Sequence, residues 1–386
     1  MSKAFDRVQH SHLFQKLLKQ GMPPIIVRFI LASYKQQKAN VNWNGVNSEY
    51  FLIGNGVKQG AILSAVLYCV YTNGLYEELR RSKIGCWLGR NYVGVLGYAD
   101  DLFLIAPSID GLQEMLYVCE RYAADHNLKF STNANPTKSK TKCMAFLSKD
   151  RELRKLKLCG NELPWVEKGK HLGVKVTNNP NNILGDDIME KRARYIQCNN
   201  ELMQEFSFAH CRTKFFVNRI FNTHFYGSVL WNIYEKESNM LFNSWSTSVR
   251  KMSRLSLKTH RYLIEPISRM KHIRSALIQR SVGFMKKLGS SRKNVLRDAF
   301  RIFSKDCRTT TGSNLRNILL ENNVFHLEQL TKNAIRRTVK FHPAPAEEQW
   351  RITVIQDLID IRDGTSGDVG WSKDEIDSTL EYLCTT

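Results

Sequence analysis

The chain has 386 residues, enough for two or three domains with a sizeable core, and its 42% hydrophobic content is ordinary for a globular protein. Its charge is less ordinary, because 57 Lys and Arg residues against 36 Asp and Glu residues give a net charge of +21. An excess of this size predicts a polyanionic partner, nucleic acid before membrane. From residue 341 onward ten acidic residues stand against three basic ones, so the predicted polyanion site belongs to the preceding residues.

The spacing of cysteines and of apolar residues disfavours three other classes of protein. The nine cysteines form no C-x-x-C pair and have no matching pair of histidines, which disfavours zinc and favours a reducing compartment. The longest apolar run, residues 61–76, is interrupted by polar residues and is shorter than the ~20 residues of a membrane span. Residues 1–12 are polar, so no secretory signal is expected. We therefore expect a soluble protein with no membrane partner and no small-molecule cofactor.

The first third of the chain is predicted to alternate helices with hairpins. A helical pattern begins at Leu13 and is stopped by Gly21 and the two prolines that follow. A second short helix is expected over residues 25–34. Asn44-Gly45 between apolar residues predicts a hairpin with a two-residue turn.

The next segments complete a mixed unit. The glycine-rich residues 54–60 precede a helix whose predicted buried stripe is Leu63, Val66, Leu67, Val70, Tyr71 and Leu75. Another amphipathic helix is predicted over residues 112–123, and a strand around Lys142–Leu147 closes the unit. These elements predict an α+β fold, with helices packed on one face of an antiparallel sheet.

Beyond residue 178 the pattern becomes helical and basic, with no convincing strand. We assign most of the aromatic residues there to the helix core and leave base stacking as the alternative; they are Phe206, Phe208, Phe215, Phe216, Phe221, Phe225, Tyr226 and Trp231. Asp186-Asp187 predicts the start of a helix. The acidic residues 341–386 are expected to be partly disordered.

The residues with the clearest chemical signal are Asp100 and Asp101, which follow Tyr98-Ala99 between two short apolar runs. The runs predict a buried hairpin with both carboxylates at its tip. Two like charges in such a place require a cation between them, and hard oxygen ligands suit Mg²⁺ or Mn²⁺. Divalent ions held by carboxylates are typical of nucleotidyl transfer. The alternative is a solvated acidic turn.

Five sequence blocks in a fixed order set this pair in context: residues 2–8, 56–64, 98–101, 138–142 and 169–174. In this order and spacing they resemble the palm of reverse transcriptases, most of all those of non-long-terminal-repeat (LINE-like) retrotransposons such as jockey-type elements. The motifs cover about residues 1–177, and the helical region is similar more loosely to about residue 290. The resemblance implies a polymerase palm over 1–177, a helical thumb-like region over 178–290 and a region of unknown role over 291–386.

The same resemblance implies the activity and its partners. The family's activity is RNA-directed DNA synthesis from dNTPs on a DNA primer and an RNA template, with two Mg²⁺ ions and Mn²⁺ as a possible substitute. Asp100 and Asp101 would hold the metals, and Tyr98 would support the primer end. Lys140 would protonate or neutralise the leaving pyrophosphate. The alternative is that the lysines at 138–142 form only a solvated surface without a catalytic role. Access to a nicked chromosomal target implies the nucleus as well as the cytoplasm.

Three further blocks match the family's substrate contacts. Phe5 matches the bulky gate against a ribose 2′-hydroxyl, although it could also be a plain core residue. Gln59 and Gly60 match the loop at the incoming nucleotide and the templating base, where a glycine lets the backbone approach closely. The family's primer-grip turn, whose alternative is an ordinary hairpin turn, matches His171, Leu172 and Gly173.

Several features depart from the family's pattern. The third metal-binding Asp of the palm would stand directly before Met1, and we expect Asp6 to have a structural role instead, such as capping the first helix. Without that third carboxylate too little negative charge remains to hold two divalent ions, so the isolated chain is expected to be inactive or nearly so. The fingers and endonuclease of such elements would also lie upstream. Lys58 and Ala65 replace prolines usual in the family. A non-catalytic nucleic-acid-binding remnant is the alternative. Intron maturases and telomerase-like enzymes share the palm, but their motifs match the residues of this sequence less well.

Overall fold

The computed structural model describes residues 1–146, 153–180, 182–221, 225–259, 264 and 271–330. The chain divides into two compact units, residues 1–172 and 173–386. The predicted limits at 177 and 290 stay predictions, and the acidic residues 341–386 lie outside the described ranges. Among the described helices, none combines the length and the apolar character that a membrane crossing requires.

Four helices form the frame of residues 1–172: α1 (His10–Lys19), α2 (Pro24–Lys35), α3 (Ile62–Arg81) and α4 (Ile109–Asp125). The helix α1 ends where predicted, because Gly21 takes a left-handed φ of 81° and Pro24 then begins α2. Helix α3 lies against α1 and α4, and its inward side chains are the centre of the core. Leu75 and Leu79 of α3 and Met115 of α4 are fully buried.

The strands are short and pair locally, as two-stranded antiparallel ladders in place of the single sheet expected. The strands of residues 1–172 are β1 (Lys38–Ala39), β2 (Asn42–Trp43), β3 (Val46–Asn47), β4 (Phe51–Leu52), β5 (Trp87–Leu88), β6 (Asn91–Tyr92), β7 (Val95–Tyr98), β8 (Asp101–Leu104), β9 (Leu156–Leu158), β10 (Asn161–Leu163) and β11 (Lys168–His171). The partners are β1 with β4, β2 with β3, β5 with β6, β7 with β8 and β9 with β10. The mixture of helices and antiparallel strands confirms the α+β class.

The Asn44-Gly45 hairpin is confirmed. Trp43 pairs with Val46, and the two turn residues have φ values of 50° and 84°. Positive φ at both central positions is the type I′ geometry, which Asn-Gly adopts with little strain.

The predicted stripe of α3 is partly wrong. Leu67, Tyr71 and Leu75 are buried as expected, but Leu63 and Val66 are 55% and 58% exposed. The buried face continues instead through polar positions, namely Ser64, Tyr68 and Thr72. Two of these polar groups are satisfied inside: the hydroxyl of Thr72 donates to the carbonyl of Tyr68, and the phenol of Tyr68 donates to the sulfur of Met1. A stripe defined by apolar side chains alone could not include them.

The strand expected around Lys142–Leu147 is not formed in its described part. Residues 142–146 are irregular, and Cys143 alone makes an isolated bridge to Trp165. Leu147 lies outside the described residues.

The described part of residues 173–386 contains one short strand, β12 (Val174–Thr177), and six helices. These are α5 (Gly185–Glu205), α6 (Cys211–Phe221), α7 (Lys236–Met252), α8 (Ile273–Gly289), α9 (Asn294–Phe303) and α10 (Thr310–Glu321). The predicted helical character is therefore confirmed for these residues, and α5 begins at the predicted acidic pair.

The aromatic residues of this helical unit divide between core and surface. Phe215, Phe225 and Trp231 are buried, and Phe221 is partly buried against the same cluster. Phe206, Phe208, Phe216 and Tyr226 are exposed by 41% to 85%, so the expectation of a core role is wrong for these four. Helical spacing was too permissive a criterion, because it does not say which face meets a neighbour.

Asp187 organises the interior beside Trp231. Its carboxylate accepts hydrogen bonds from the backbone NH of Lys175 at 2.9 Å, from the Trp231 indole at 2.9 Å and from the Lys191 ammonium at 2.7 Å. Asp187 is 2% exposed. A buried carboxylate is tolerated here because three donors replace its water.

Candidate active site

The hairpin β7–β8 positions the two carboxylates. Its register pairs Val95 with Leu104 and Tyr98 with Asp101, so Ala99 and Asp100 form a two-residue turn. Ala99 has a φ of 52°, a left-handed conformation that costs an L-residue about 1–2 kcal/mol. Asp100 therefore lies in the turn itself, and Asp101 is the first residue of the returning strand.

The expectation that this hairpin is buried is wrong. Asp100 is half-buried, Asp101 is exposed, and the ring of Tyr98 is 68% exposed. The strands alternate, because Val95, Leu102 and Leu104 pack against the core whereas Leu96 and Phe103 point away from it. A two-stranded ladder covered on one face leaves the other face open, so the carboxylates are accessible to ions and substrates.

Tyr68 on α3 connects the Asp100 turn to the start of the chain. The Met1 amino group donates to the carbonyl of Asp100 at 2.9 Å, and the Tyr68 hydroxyl donates to the Met1 sulfur at 2.9 Å. The ring of Phe5 stacks on the ring of Tyr68, with centroids 5.0 Å apart and planes inclined by 28°. Burial, with a smaller effect from the charge of Asp100, raises the pKa of Tyr68 well above its ordinary value. Tyr68 thus contacts Phe5, the predicted gate, directly and is linked through Met1 to Asp100, the predicted metal ligand.

The glycine-rich segment 54–60 is fixed to the backbone around Phe5. The NH of Gly56 donates to the carbonyl of Val8, and the NH of Val57 donates to the carbonyl of Phe5, both at 2.8 Å. Gly56 has a φ of 92°, and a Cβ there would lie 3.1 Å from Asp6 Cα. The position therefore requires glycine. The carbonyl of Gly56 also lies 2.7 Å from Nε2 of His10.

Gln59 follows directly in this segment and reaches the residue after the gate. Its side-chain amide donates to the carboxylate of Asp6 at 3.1 Å. Asp6 lies in a 3₁₀ turn (Phe5–Arg7) and is exposed, and α1 begins after Gln9 with no side-chain cap. The helix-capping role expected of Asp6 is therefore wrong, because its carboxylate is used by Gln59. Gly60, at φ 82°, is exposed and has open space around it.

The turn at His171 lies beside the carboxylate hairpin. The rings of His171 and Phe103 have centroids 5.2 Å apart, and Phe103 stands two residues after Asp101. Leu172 has a φ of 47° and Gly173 a φ of 78°, so the segment turns tightly at these residues. His171, the first of the three predicted primer-grip residues, therefore lies next to β8.

The lysines at 138–142 lie on a separate loop. Ser139 is buried and its hydroxyl donates to the carbonyl of Thr141 at 2.9 Å, whereas Lys138, Lys140 and Lys142 are exposed. Among the described residues no hydrogen bond or ion pair joins Lys140 to either carboxylate of the hairpin. Its assignment stays a prediction.

Comparison with known proteins finds a family match for the first unit. Residues 1–176, just under half of the chain, match the model of the family described as reverse transcriptase (RNA-dependent DNA polymerase). This match confirms the resemblance drawn from the five sequence blocks.

Individual relatives of this reverse transcriptase domain come from non-long-terminal-repeat elements. The chain is 29% identical over 185 residues to the Retrovirus-related Pol polyprotein from type-2 retrotransposable element R2DM of Drosophila melanogaster, covering 46% of this chain and 17% of the relative. It is 28% identical over 180 residues to the RNA-directed DNA polymerase from mobile element jockey of Drosophila funebris, covering 45% and 18%. The chain thus spans about a sixth of the length of these curated relatives.

Reverse transcriptases generally use divalent metal ions, and the two carboxylates suit such an ion in part. Within the described ranges no group of three or more His, Cys, Asp or Glu side chains could hold a metal. Two hard, accessible carboxylates are nevertheless a sufficient protein contribution for Mg²⁺, because this ion keeps several waters and takes further ligands from substrate phosphates. The donor set of Asp100 and Asp101 therefore fits Mg²⁺ or Mn²⁺.

Sequence reasoning missed two residues that hold the candidate site together. Tyr68 was passed over because the predicted stripe of α3 was centred on Leu63 and Val66, whereas Tyr68 stands one helical turn after buried Ser64 and shares its face. His10 carries no sequence signal, because its partner is a backbone carbonyl 46 residues away.

Proposed function

We propose that this chain carries the polymerase centre of a non-long-terminal-repeat retrotransposon reverse transcriptase, which extends a DNA primer on an RNA template from dNTPs. One observation carries the proposal. In a domain of this family, Tyr68 contacts both the predicted gate, through its stack on Phe5, and the segment that hydrogen-bonds Asp100, through Met1. A nucleotide bound between these groups would meet a metal ligand at one end and a sugar-selecting ring at the other.

Asp100 and Asp101 would be protein ligands of two Mg²⁺ ions in this proposal, with Mn²⁺ able to replace them. Bound there, the ions would supply activation of the primer 3′-hydroxyl and stabilisation of the departing pyrophosphate. The 3′-oxygen forms its bond to the α-phosphorus as the bond to pyrophosphate breaks. Lys140 gives a proton to the pyrophosphate, and the exposed ring of Tyr98 supports the primer end.

The groups proposed to select the nucleotide lie around Phe5, to whose backbone the segment 54–60 is fixed. Phe5 blocks a ribose 2′-hydroxyl, and its ring plane is set by the Tyr68 stack. Gln59 and Gly60 meet the incoming nucleotide and the templating base. The hydrogen bond from the Gln59 side-chain amide to the Asp6 carboxylate holds that amide close to Phe5.

Two more regions handle the nucleic acid. His171, Leu172 and Gly173 form the primer grip, and the basic residues of the helical unit neutralise phosphates without reading sequence. We propose that the protein acts in the nucleus as well as the cytoplasm.

The test is primer extension on a poly(rA)–oligo(dT) substrate with Mg²⁺. Any extension that the chain supports should fall by more than about 100-fold in Asp100→Asn or Asp101→Asn, since each removes a metal ligand. Asp125→Asn is the matched control, because this exposed aspartate lies at the end of α4 and should leave the rate unchanged.

A different outcome would support the second reading, a nucleic-acid-binding protein without catalysis. In that case the chain would not extend the primer but would bind RNA–DNA hybrids with an affinity that falls steeply as salt rises. The net charge of +21 is the observation that favours this candidate. Binding that did not respond to salt would contradict both readings.

A further inference from the structure

Gly97, in the strand β7 that leads to Asp100, lies directly against the ring of Tyr76 on α3. A Cβ at Gly97 would overlap the hydroxyl oxygen of Tyr76 and would lie 2.6 Å from its Cζ and 2.8 Å from its Cε1. The φ of Gly97 lies outside the left-handed region, so this contact, and not the backbone conformation, excludes a side chain. Glycine therefore allows the carboxylate hairpin to approach the aromatic ring closely.

The contact is on the side of the hairpin that faces the core. Val95 stands two residues before Gly97, and Leu102 is the cross-strand partner of Gly97. Both pack against the core, and such positions share one face of a ladder, so position 97 also faces α3, which contacts β7. Asp101 is on the opposite face. Tyr76 thus supports the hairpin without covering the face that is open to ions.

Tyr76 shares one stripe of α3 with Tyr68. The two residues are about two turns apart, ~12 Å at 1.5 Å per residue, and Thr72 stands midway between them. The Thr72 hydroxyl donates to the Tyr68 carbonyl at 3.0 Å, and its side chain shares a hydrogen bond with the Tyr76 hydroxyl. Tyr68 in turn stacks on Phe5. One helix face therefore holds the segment of Phe5 at one turn and the carboxylate hairpin at another.

The Tyr76 ring is held firmly enough to act as a support. Tyr76 is half-buried, and burial raises the pKa of its phenol; Cys119 of α4 lies near enough to act in the same direction. The overlap with a Cβ at Gly97 involves two ring carbons as well as the hydroxyl oxygen. Moving the tip of the side chain alone could not relieve it, because the ring is rigid and would have to turn as a whole.

We infer that Tyr76 is a positioning residue, which sets the height of the carboxylate hairpin above α3 and thereby its distance from Phe5. Close-packed groups transmit a displacement to their neighbours, and here the ring meets the backbone of β7 directly. Asp100 is thus held where the Met1 amino group reaches its carbonyl at 2.9 Å. Since Asp100 and Asp101 lie on one hairpin, a change of height moves both relative to Phe5 but not relative to each other. The inference rests on the metal site proposed above.

Metal-directed cleavage of the full chain would detect a change of height. Fe²⁺ in place of Mg²⁺, with ascorbate and peroxide, cuts the backbone close to the bound ion. In Gly97→Ala the added methyl meets the ring and lifts the hairpin, so cuts at residues 1–6 should fall at least about twofold relative to cuts at 98–101, because overpacking shifts the backbone. Gly97→Ala/Tyr76→Leu makes room for the methyl and should restore the wild-type ratio, whereas Gly97→Ala/Tyr76→Phe keeps the ring and should not.

Gly94→Ala is the matched control on the same hairpin. A Cβ at Gly94 would also meet a tyrosine ring, 2.6 Å from Cζ of Tyr92, but Tyr92 belongs to β6 and not to α3. Gly94→Ala should therefore lower the urea midpoint of unfolding, as Gly97→Ala does, and leave the cut ratio unchanged. A wild-type ratio in Gly97→Ala, or the same shift in Gly94→Ala, would overturn the inference.

Urea unfolding without metal tests the contact separately from the proposed function. Gly97→Ala should lower the midpoint, and the same substitution in a Tyr76→Leu background should lower it by less, because residues in contact are coupled. Equal losses in the two backgrounds would overturn the inference whether or not a metal binds. A wild type without cuts at 98–101 but with coupled losses would contradict the proposed metal site and support Tyr76 as the residue on which the hairpin is seated.

Discussion

The two compact units place their polar groups by different means. In residues 1–172 the candidate site residues lie on turns, loops and strand ends, where the backbone takes left-handed values at Gly56 and Ala99 and the carboxylates of the hairpin are open to solvent. In the helical unit the polar groups lie on helix faces, and Asp187, Asn199 and Asn218 are each at most 3% exposed. Accessible groups can change partners during a reaction, whereas buried ones hold one arrangement.

The difference separates what each unit loses when a polar residue is removed. An exposed carboxylate such as Asp101 contributes little to stability, so its loss should affect chemistry alone. A buried one such as Asp187 leaves its former donors without a partner, so its loss should affect folding. The predictions below test this contrast, beginning with the largest expected effect.

Asp187→Ala should lower the free energy of unfolding of the helical unit by about 3–5 kcal/mol, because the largely buried Lys191 side chain and the buried Trp231 indole both lose the Asp187 carboxylate. Hydrogen exchange of the α7 amides would measure it. Glu190→Ala is the control on the same helix: its pair with Lys175 spans 3.4 Å at a half-exposed position, so its loss should cost less than about 1 kcal/mol. Equal losses of unfolding free energy in Asp187→Ala and Glu190→Ala would contradict the contrast between buried and exposed carboxylates.

Gly56→Ala should lower the stability of residues 1–172 by about 1–3 kcal/mol, because a Cβ would press on the backbone of Asp6 at a left-handed φ. Faster exchange of the Val57 amide, which is bonded to Phe5, would report the displaced segment. Gly54→Ala introduces the same methyl into open space at an ordinary φ and should be neutral within about 0.5 kcal/mol. An unchanged Val57 amide in Gly56→Ala would show that the segment is not fixed as described.

Lys16 should make the stability of the first unit depend on pH. Its ammonium donates to the Tyr71 carbonyl and the Tyr122 hydroxyl, both at 2.6 Å, and burial lowers its pKa from 10.5 to about 8. Between these values the unfolded chain binds more protons, so stability contributed by Lys16 rises as pH increases from about 8 to about 10.5. Since the group is half-exposed, we expect a gain of only about 1–2 kcal/mol.

Urea unfolding at pH 8 and pH 10 would measure this gain, as the difference between the wild type and Lys16→Met. Other groups that titrate in the window cancel in the difference. Lys19→Met, at an exposed position three residues further along α1, should keep the wild-type pH dependence. A Lys16→Met variant with the full wild-type rise would contradict the assignment.

The smallest effect is expected at Ala99. The left-handed conformation costs Ala about 1 kcal/mol, and replacement by Gly removes this cost. Gly also gives the unfolded chain more conformational entropy, which stabilises the unfolded state by a similar amount. The free energy of unfolding should therefore change by less than about 0.5 kcal/mol. Ala99→Val should instead lose more than 1 kcal/mol, because a β-branched residue tolerates a positive φ poorly. Thermal unfolding of the two variants would compare them, and equal stability would contradict the left-handed turn.

Sequence alone predicted the local elements well and the tertiary partners poorly. Asn44-Gly45 specifies its own turn through local backbone preference, and Gly21 with Pro24 ends and restarts helices in the same way. The burial of Tyr68 and the exposure of Val66 depend instead on which neighbours α3 meets, and apolar character does not encode that. The bond between His10 and Gly56 joins distant residues through a carbonyl, which every residue has. Motif order predicted the reverse transcriptase match of residues 1–176.

The central claim is that the Asp100 turn and the segment of Phe5 form one metal-and-nucleotide site, and metal-directed cleavage tests it most directly. Fe²⁺ substituted for Mg²⁺, with ascorbate and peroxide, cuts the backbone next to the bound ion. We predict cuts at residues 98–101 and 1–6 that disappear in the Asp100→Asn/Asp101→Asn double variant and persist in Asp125→Asn. Cuts elsewhere, or the same cuts in the double variant, would contradict the account.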